Sequence, residues 1–214
     1  MTLLKPFLVI VKTLLFYIFD SLALFNSPLP QKDKFDLVLI VRQDAIGDFI
    51  LWLNTAKEYR EIYPPNKYKI ILIGNASWSG LAEKFSYWDQ VFPINSRKFK
   101  SLTGYRWGLL RKIKHMSATI SIQPTYSREF YHGDTIIRAS NAIKKIGSVG
   151  DMSNRNWLKK IISDRWYTEL VPASTKQLTE LERNSEFFQG ISKKPHQLSC
   201  LLYTSDAADE EDSV

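Results

Sequence analysis

Residues 36–50 read D-L-V-L-I-V-R-Q-D-A-I-G-D-F-I, and this stretch decides the fold. Leu37 to Val41 is an apolar run with the length and β-branching of a parallel strand buried on both faces. It ends at Arg42, crosses a short polar turn with a single glycine, Gly47, and restarts at Asp48 as an apolar-periodic helix. Strand, tight turn and helix start in that order place Asp48 at the carboxyl edge of a sheet, where open α/β folds bind and react their ligands. The turn is not a dinucleotide fingerprint, which needs three glycines, nor a P-loop, which ends in Gly-Lys-Ser/Thr. One glycine suffices for a tight turn and lets a ligand approach the backbone. A carboxylate at Asp48 suits helix capping, where it meets free N–H groups and the positive dipole end, and it also suits proton transfer. Asp44, four residues earlier, reads as a solvated turn residue.

Outward from this stretch the pattern alternates. Strand-like runs occupy 36–42, 67–74, 90–94, 118–123 and 145–149, with helical stretches at 48–63, 78–85, 103–114 and 134–142 between them. Strands separated by helices of this length imply right-handed βαβ crossovers, so the expected class is α/β, a Rossmann-like, mainly parallel sheet with flanking helices. Two further helices are expected at 158–169 and 175–188.

An apolar helix precedes this domain, over Leu3 to Phe25. At about 100° per residue, Lys5, Lys12, Thr13 and Asp20 fall in one polar stripe. A spanning helix would put Lys12 near mid-bilayer, and a signal peptide would have Lys12 in its apolar core. A helix lying in the membrane interface accommodates the whole stripe, with its lysines toward headgroups. Asn26-Ser27-Pro28-Leu29-Pro30 should end it, and residues 31–34 form a polar link.

Cys200 to Glu210, C-L-L-Y-T-S-D-A-A-D-E, resembles a translated sequencing adaptor, so residues 200–214 are set aside from fold reasoning and the chain is expected to be truncated. The only cysteine goes with that tail. Net charge is +7 overall, and 29 Lys and Arg against 17 acids, +12, without the tail. That balance favours anionic partners. The stretch Arg97 to His115 carries seven Lys and Arg and no acid, interleaved with Phe99, Tyr105 and Trp107, which reads as a solvated basic face or an anion-binding one. No nucleic-acid motif accompanies it. His115, His132 and His196 show no metal-ligand spacing, and His132 reads as a surface residue.

Here the residues reach a resemblance. V-L-I-V-R-Q-D-A-I-G-D-F-I resembles the opening of the bacterial heptosyltransferase-type glycosyltransferases, which build lipopolysaccharide core. K-I-I-L-I-G-N-A-S-W-S-G-L-A-E (Lys69–Glu83), Y-W-D-Q-V-F-P-I (Tyr87–Ile94), S-I-Q (Ser121–Gln123), Y-T-E-L-V-P (Tyr167–Pro172) and L-E-R-N (Leu181–Asn184) follow in the family's order. The resemblance implies the N-terminal half of a two-domain GT-B fold: an acceptor-binding domain over 36–172, and a lead-out over 173–199 toward a missing donor-binding domain. It implies Asp48 as the general base on an acceptor hydroxyl, with inversion at the sugar and no metal or cofactor. Arg42, Gly47, Gln123 and Arg128 are the implied substrate-binding residues. Departures are Asn54 where many members have Pro, and Ser121-Ile122-Gln123-Pro124 where Asp-x-Gln-Gly is usual. Expected partners are a nucleotide-sugar donor, a lipid-linked glycan acceptor and an anionic membrane surface, with no nucleic acid. The expected location is cytoplasmic, peripheral at the inner membrane, and the fragment alone is expected to be inactive. The alternative is a non-catalytic α/β module docking on anionic membrane or nucleic acid through Arg97–Lys114.

Overall fold

The computed structural model describes residues 4–25 and 36–193; the expected break at 26–30, the link at 31–34, His196 and the tail lie outside the described residues. In chain order the first elements are helix α1 (Leu4–Phe25), strand β1 (Asp36–Arg42), helices α2 (Ile46–Ala56) and α3 (Tyr59–Ile62), strand β2 (Tyr68–Asn75), helix α4 (Ser79–Ala82), strand β3 (Gln90–Ile94) and helices α5 (Ser96–Phe99) and α6 (Gly104–His115). Strand β4 (Ile120–Gln123) follows, then a π-helical turn (Phe130–Asp134) running into α7 (Thr135–Ser140), strand β5 (Lys144–Ser148), helix α8 (Trp157–Asp164), strand β6 (Glu169–Val171) and helix α9 (Glu180–Ser192). The six strands form one parallel sheet in the order β3-β2-β1-β4-β5-β6. This is the Rossmann-like α/β fold that the opening stretch predicts.

β1 lies at the sheet's centre because its side chains satisfy both faces. Val38 and Ile40 point to one core with Phe49, Trp52 and Ala56 of α2 and Phe187 and Phe188 of α9. Leu37, Leu39 and Val41 point to the other, with Leu109, Leu110 and Ile113 of α6 and Ile136 and Ile137 of α7. Each fully buried side chain of this size contributes about 1.5–3 kcal/mol. α2 is anchored by aromatic packing: Phe49 stacks on Trp78 at 4.1 Å and Trp52 on Trp88 at 6.1 Å. Gly74 makes room for the Trp78 ring, since a Cβ there would sit 2.6 Å from it.

α1 packs on this body with its polar residues inward. Thr13, Phe16, Asp20 and Ala23 are buried. The Asp20 carboxylate accepts from Arg106 Nε at 2.7 Å and Nη2 at 2.6 Å, with both side chains sealed from solvent. Arg106 Nη1 donates to the carbonyls of Phe99 (2.8 Å) and Tyr131 (2.9 Å). Thr13 shares a hydrogen bond with the Tyr131 hydroxyl at 3.1 Å, and Arg138 donates to Ser21 at 2.6 Å. The polar stripe therefore faces the protein in its Thr13–Asp20 part, while Lys12 stays exposed at its edge. The physical reason is Arg106, a buried cation within the apparently solvated basic run, which takes its counter-charge from 86 residues earlier.

Other differences are local. The helix expected over 48–63 is interrupted after Ala56 and resumes only as the short α3. Residues 165–169, read as the end of a helix, turn instead into β6, where Thr168 N donates to Lys145 O at 2.9 Å and Val149 N to Val171 O at 2.9 Å. Leu170 and Val171 suit that edge pairing better than a helical face. The last helix starts later than expected, at a capping box in which the Thr179 side chain accepts from Glu182 N and Glu182 reaches back to Thr179 N. α9 then folds back against α2, putting Phe187 and Phe188 in the first core.

Candidate functional site

β1 is also where the chain order reverses: β2 and β3 extend the sheet to one side, β4, β5 and β6 to the other. At such a switch point the loops leaving adjacent strands diverge and open a crevice. A cleft of ≈ 350 Å³ lies there. The β1–α2 turn contributes Gln43, Asp44, Ala45 and Asp48, the ends of β2 and β3 contribute Asn75 and Ser96, and β4 contributes Gln123 and, beyond it, Thr125 and Ser127. Lys100, Glu129, His132, Gly133 and Asn154 complete the wall.

Asp48 sits in the first turn of α2, partly exposed at the cleft. The helix begins at Ile46 with Ala45 before it, so Asp48 is not the capping residue; it adds its charge to the positive helix end from inside. Among the described residues its carboxylate has no hydrogen bond or ion pair. A carboxylate held at a cleft without a partner is available to take a proton.

Asp44 is the contrasting case. It also lines the cleft, but it forms an ion pair with Arg42 Nε at 3.1 Å and accepts from Thr125 Oγ1 at 3.1 Å, so it is not a solvated turn residue. Arg42 is wholly buried behind the wall and absent from the lining. It donates to Asn184 Oδ1 at 2.8 Å, to Glu180 Oε1 at 2.6 Å and to the Asp48 carbonyl at 3.3 Å, so it ties β1 to α9 and fixes the turn from beneath. Trp78 Nε1 steadies the same turn by donating to the Asp44 carbonyl at 2.9 Å. Burial pushes the Glu180 carboxyl up; Arg42 pulls it down, and the Asp44 and Asp48 charges push it up again. Gly47 lies off the lining, within the first turn of α2, where an added Cβ would meet nothing within 4 Å.

The floor is built on β4. Gln123 reaches the cleft, and its amide is held by the Tyr167 hydroxyl, which also lies 2.7 Å from Asp134. Gly133 must be glycine for Gln123 to lie there, because a Cβ would fall 2.1 Å from Gln123 Nε2. Arg128 is buried below the floor, not at the cleft. It pairs with Asp164 and Asp134, stacks over the Tyr167 ring at 4.4 Å, and shares both acids with Arg155. Burial would raise the Asp164 carboxyl, but the Lys160 hydrogen bond and the Arg128 charge outweigh it and lower it.

The far wall is a chain of polar contacts that the residue spacing did not reveal. Lys100 pairs with Glu129 at 3.1 Å, and Glu129 with His132 Nδ1 at 3.2 Å. His132 Nε2 lies 3.2 Å from the Ser96 carbonyl. His132 is buried, not the surface residue expected. Burial alone would raise the Glu129 carboxyl, yet the hydrogen bond and charge of His132, with Lys100 behind them, bring it down to about 2. The H-G-D turn at a helix start was the available signal, since a glycine there permits close approach of another group to the backbone. Among the described residues no group of three or more His, Cys, Asp or Glu side chains is arranged to hold a metal.

No family model and no curated protein matches this sequence. Solved structures do match in shape. Heptosyltransferase WaaC of E. coli with ADP-2-deoxy-2-fluoro heptose superposes with a TM-score of 0.60 at 18% identity, over 78% of this chain and 52% of that one. WaaC with ADP gives 0.55 at 17%, over 72% and 46%. The fold resembles that of about half of each of these heptosyltransferase structures. A glycosyl transferase family 9 structure from Veillonella parvula gives 0.56 at 12% identity, over 75% of this chain and 42% of that one. At these identities the likeness is one of fold, and the chain spans about half the length of the structures it matches. The Rossmann-like half expected from the V-L-I-V-R-Q-D-A-I-G-D-F-I stretch is thereby met in fold.

Proposed function

We propose that this chain is the acceptor-binding half of an inverting glycosyltransferase, with Asp48 as general base. The acceptor would be a lipid-linked glycan such as lipopolysaccharide core, and the donor a heptose-like sugar carried on a nucleotide by a second Rossmann-like half outside these residues. The observation that carries the reading is the Asp48 carboxylate, without a hydrogen bond or ion pair among the described residues, at a cleft on the switch point of a parallel sheet. An acceptor hydroxyl in that cleft would give its proton to Asp48 as its oxygen attacks the anomeric carbon, with inversion as the nucleotide leaves. Gln123, Thr125 and Ser127 offer neutral donors and acceptors for sugar hydroxyls, while Lys100 offers a cation for an acceptor phosphate. Arg42 and Arg128 act through the groups that they hold, Asp44 for one and the Gln123 floor for the other. That the likeness includes structures with ADP and ADP-linked heptose supports a nucleotide-sugar donor.

Isothermal titration of the chain with a deacylated inner-core oligosaccharide tests the reading. Binding that is weakened at least about tenfold by Gln123→Ala, with no transfer when ADP-heptose is added, is expected. Absence of binding, or sugar transfer by these residues alone, would contradict it.

A further inference from the structure

α1 is long and apolar enough to cross a bilayer, with mean hydropathy 2.0 over Phe7–Phe25. Its packing forbids that use. Side-chain and backbone contacts to the domain run from Thr13, through Tyr17, Phe19 and Asp20, to the Leu24 carbonyl, which accepts from Lys114. That is about 18 Å of helix laid along protein. Among the described residues, Leu4 to Lys12 extends beyond that packed stretch, about 13 Å of helix, against a hydrocarbon core of about 30 Å. Undocking the helix to span would strip Arg106, fully buried, of its carboxylate.

The outward face is the reverse of a soluble helix. Phe7, Leu14, Leu15, Ile18, Leu22 and Phe25 are all exposed, Ile18 at 54% and Phe25 at 85%. At 100° per residue they cluster within about 60° of one direction, opposite to Thr13, Phe16, Asp20 and Ala23. Cations stand at both flanks of this face. Lys12 and Lys159 share the Tyr131 ring at 5.3 and 4.6 Å on one side, and Arg138 lies over Tyr17 at 4.4 Å on the other. Partial burial, then the Lys12 charge, lowers the Lys159 ammonium, against a smaller opposing pull from the Glu129 carboxylate.

We infer that α1 is a fixed in-plane membrane wedge: the domain holds its polar side, and its Leu14–Ile18–Leu22 face enters one leaflet of a bilayer whose anionic headgroups meet Lys12, Lys159 and Arg138. A leaflet is the occupant that fits a long apolar strip with a cationic margin, and the chain's net charge of +7 favours the same surface. The inference stands on α1 alone and does not need the transferase reading.

Flotation of the purified chain with vesicles of phosphatidylcholine and phosphatidylglycerol tests it. Binding is expected to fall about tenfold or more in Leu14→Glu/Ile18→Glu. The variant should keep the circular dichroism and melting temperature of the parent, because both side chains point away from the domain. Pure phosphatidylcholine vesicles should bind less of the parent chain. Spin labels on Leu14→Cys, Ile18→Cys and Leu22→Cys, in a Cys200→Ser background, should report one shallow depth. Unchanged flotation in the double variant, equal binding to neutral vesicles, or a depth that increases steadily along the helix would overturn the inference. So would a dimer in solution that buries this face and ignores vesicles.

Discussion

Asp20→Ala tests whether α1 is an integral part of the domain. The substitution removes a carboxylate only 2% exposed, whose two oxygens meet a wholly buried guanidinium. Breaking such a pair from one side typically costs about 3–5 kcal/mol, because the surviving charge stays buried without compensation. Arg106 would keep the Phe99 and Tyr131 carbonyls and Thr135 Oγ1 at 3.2 Å, so the lower end applies, about 3 kcal/mol. At about 2–4 °C per kcal/mol for a domain of this size, the melting temperature should fall by about 6–12 °C. Urea titration followed by tryptophan fluorescence gives the free energy directly, and Trp107 and Trp166 sit against α1 to report its release. Replacing both partners in Asp20→Leu/Arg106→Leu should cost less than the two single changes added together, since an apolar pair carries no stranded charge. A loss under about 0.5 kcal/mol for Asp20→Ala, or simple additivity in the double variant, would refute the reasoning.

Three further outcomes follow from the site. Glu129 has its carboxyl lowered from 4.5 to about 2, so its ion pairs contribute stability that is complete above about pH 4.5 and lost as pH falls through about 2; Glu129→Gln should remove that part of the acid unfolding curve, measured by ellipticity against pH. Gly133→Ala should cost about 1–3 kcal/mol of stability and lower oligosaccharide affinity, because its methyl group lands on the Gln123 amide. Arg42→Met strands Asp44, Glu180 and Asn184 together and should cost about 2–4 kcal/mol by chemical unfolding, moderated because Asp44 and Glu180 can reach water.

What could be read from residues alone was what the backbone period carries. Leu37–Val41 has to be a two-faced central strand, and the polar turn after it has to lie at the sheet edge, so the class and the position of Asp48 follow from local pattern. The helical character of α1 was equally legible, but its facing was not: a stripe of Lys12, Thr13 and Asp20 suits headgroups or a buried partner, and only Arg106, far along the chain, decides. Long-range pairing also hid the burial of Arg42 and Arg128, whose partners on α9 and α8 are 138 and 36 residues away. His132 read as a surface residue because its burial comes from Phe99 and Ser96, on a different crossover. β6 was missed because three residues are too short for a period, whereas the Thr179–Glu182 capping box was readable as T-x-x-E and marks where α9 begins.

The central claim is that Asp48, not Asp44, is the base. Steady-state kinetics of sugar transfer, on this chain joined to a nucleotide-sugar-binding half, tests it most directly through Asp48→Asn and Asp44→Asn. Loss of the base should lower kcat by about 10²–10⁴ in Asp48→Asn while the acceptor KM stays within a few-fold. Asp44→Asn should act mainly on KM, through the turn that it braces with Arg42 and Thr125. A kcat within about threefold of the parent in Asp48→Asn would contradict the account.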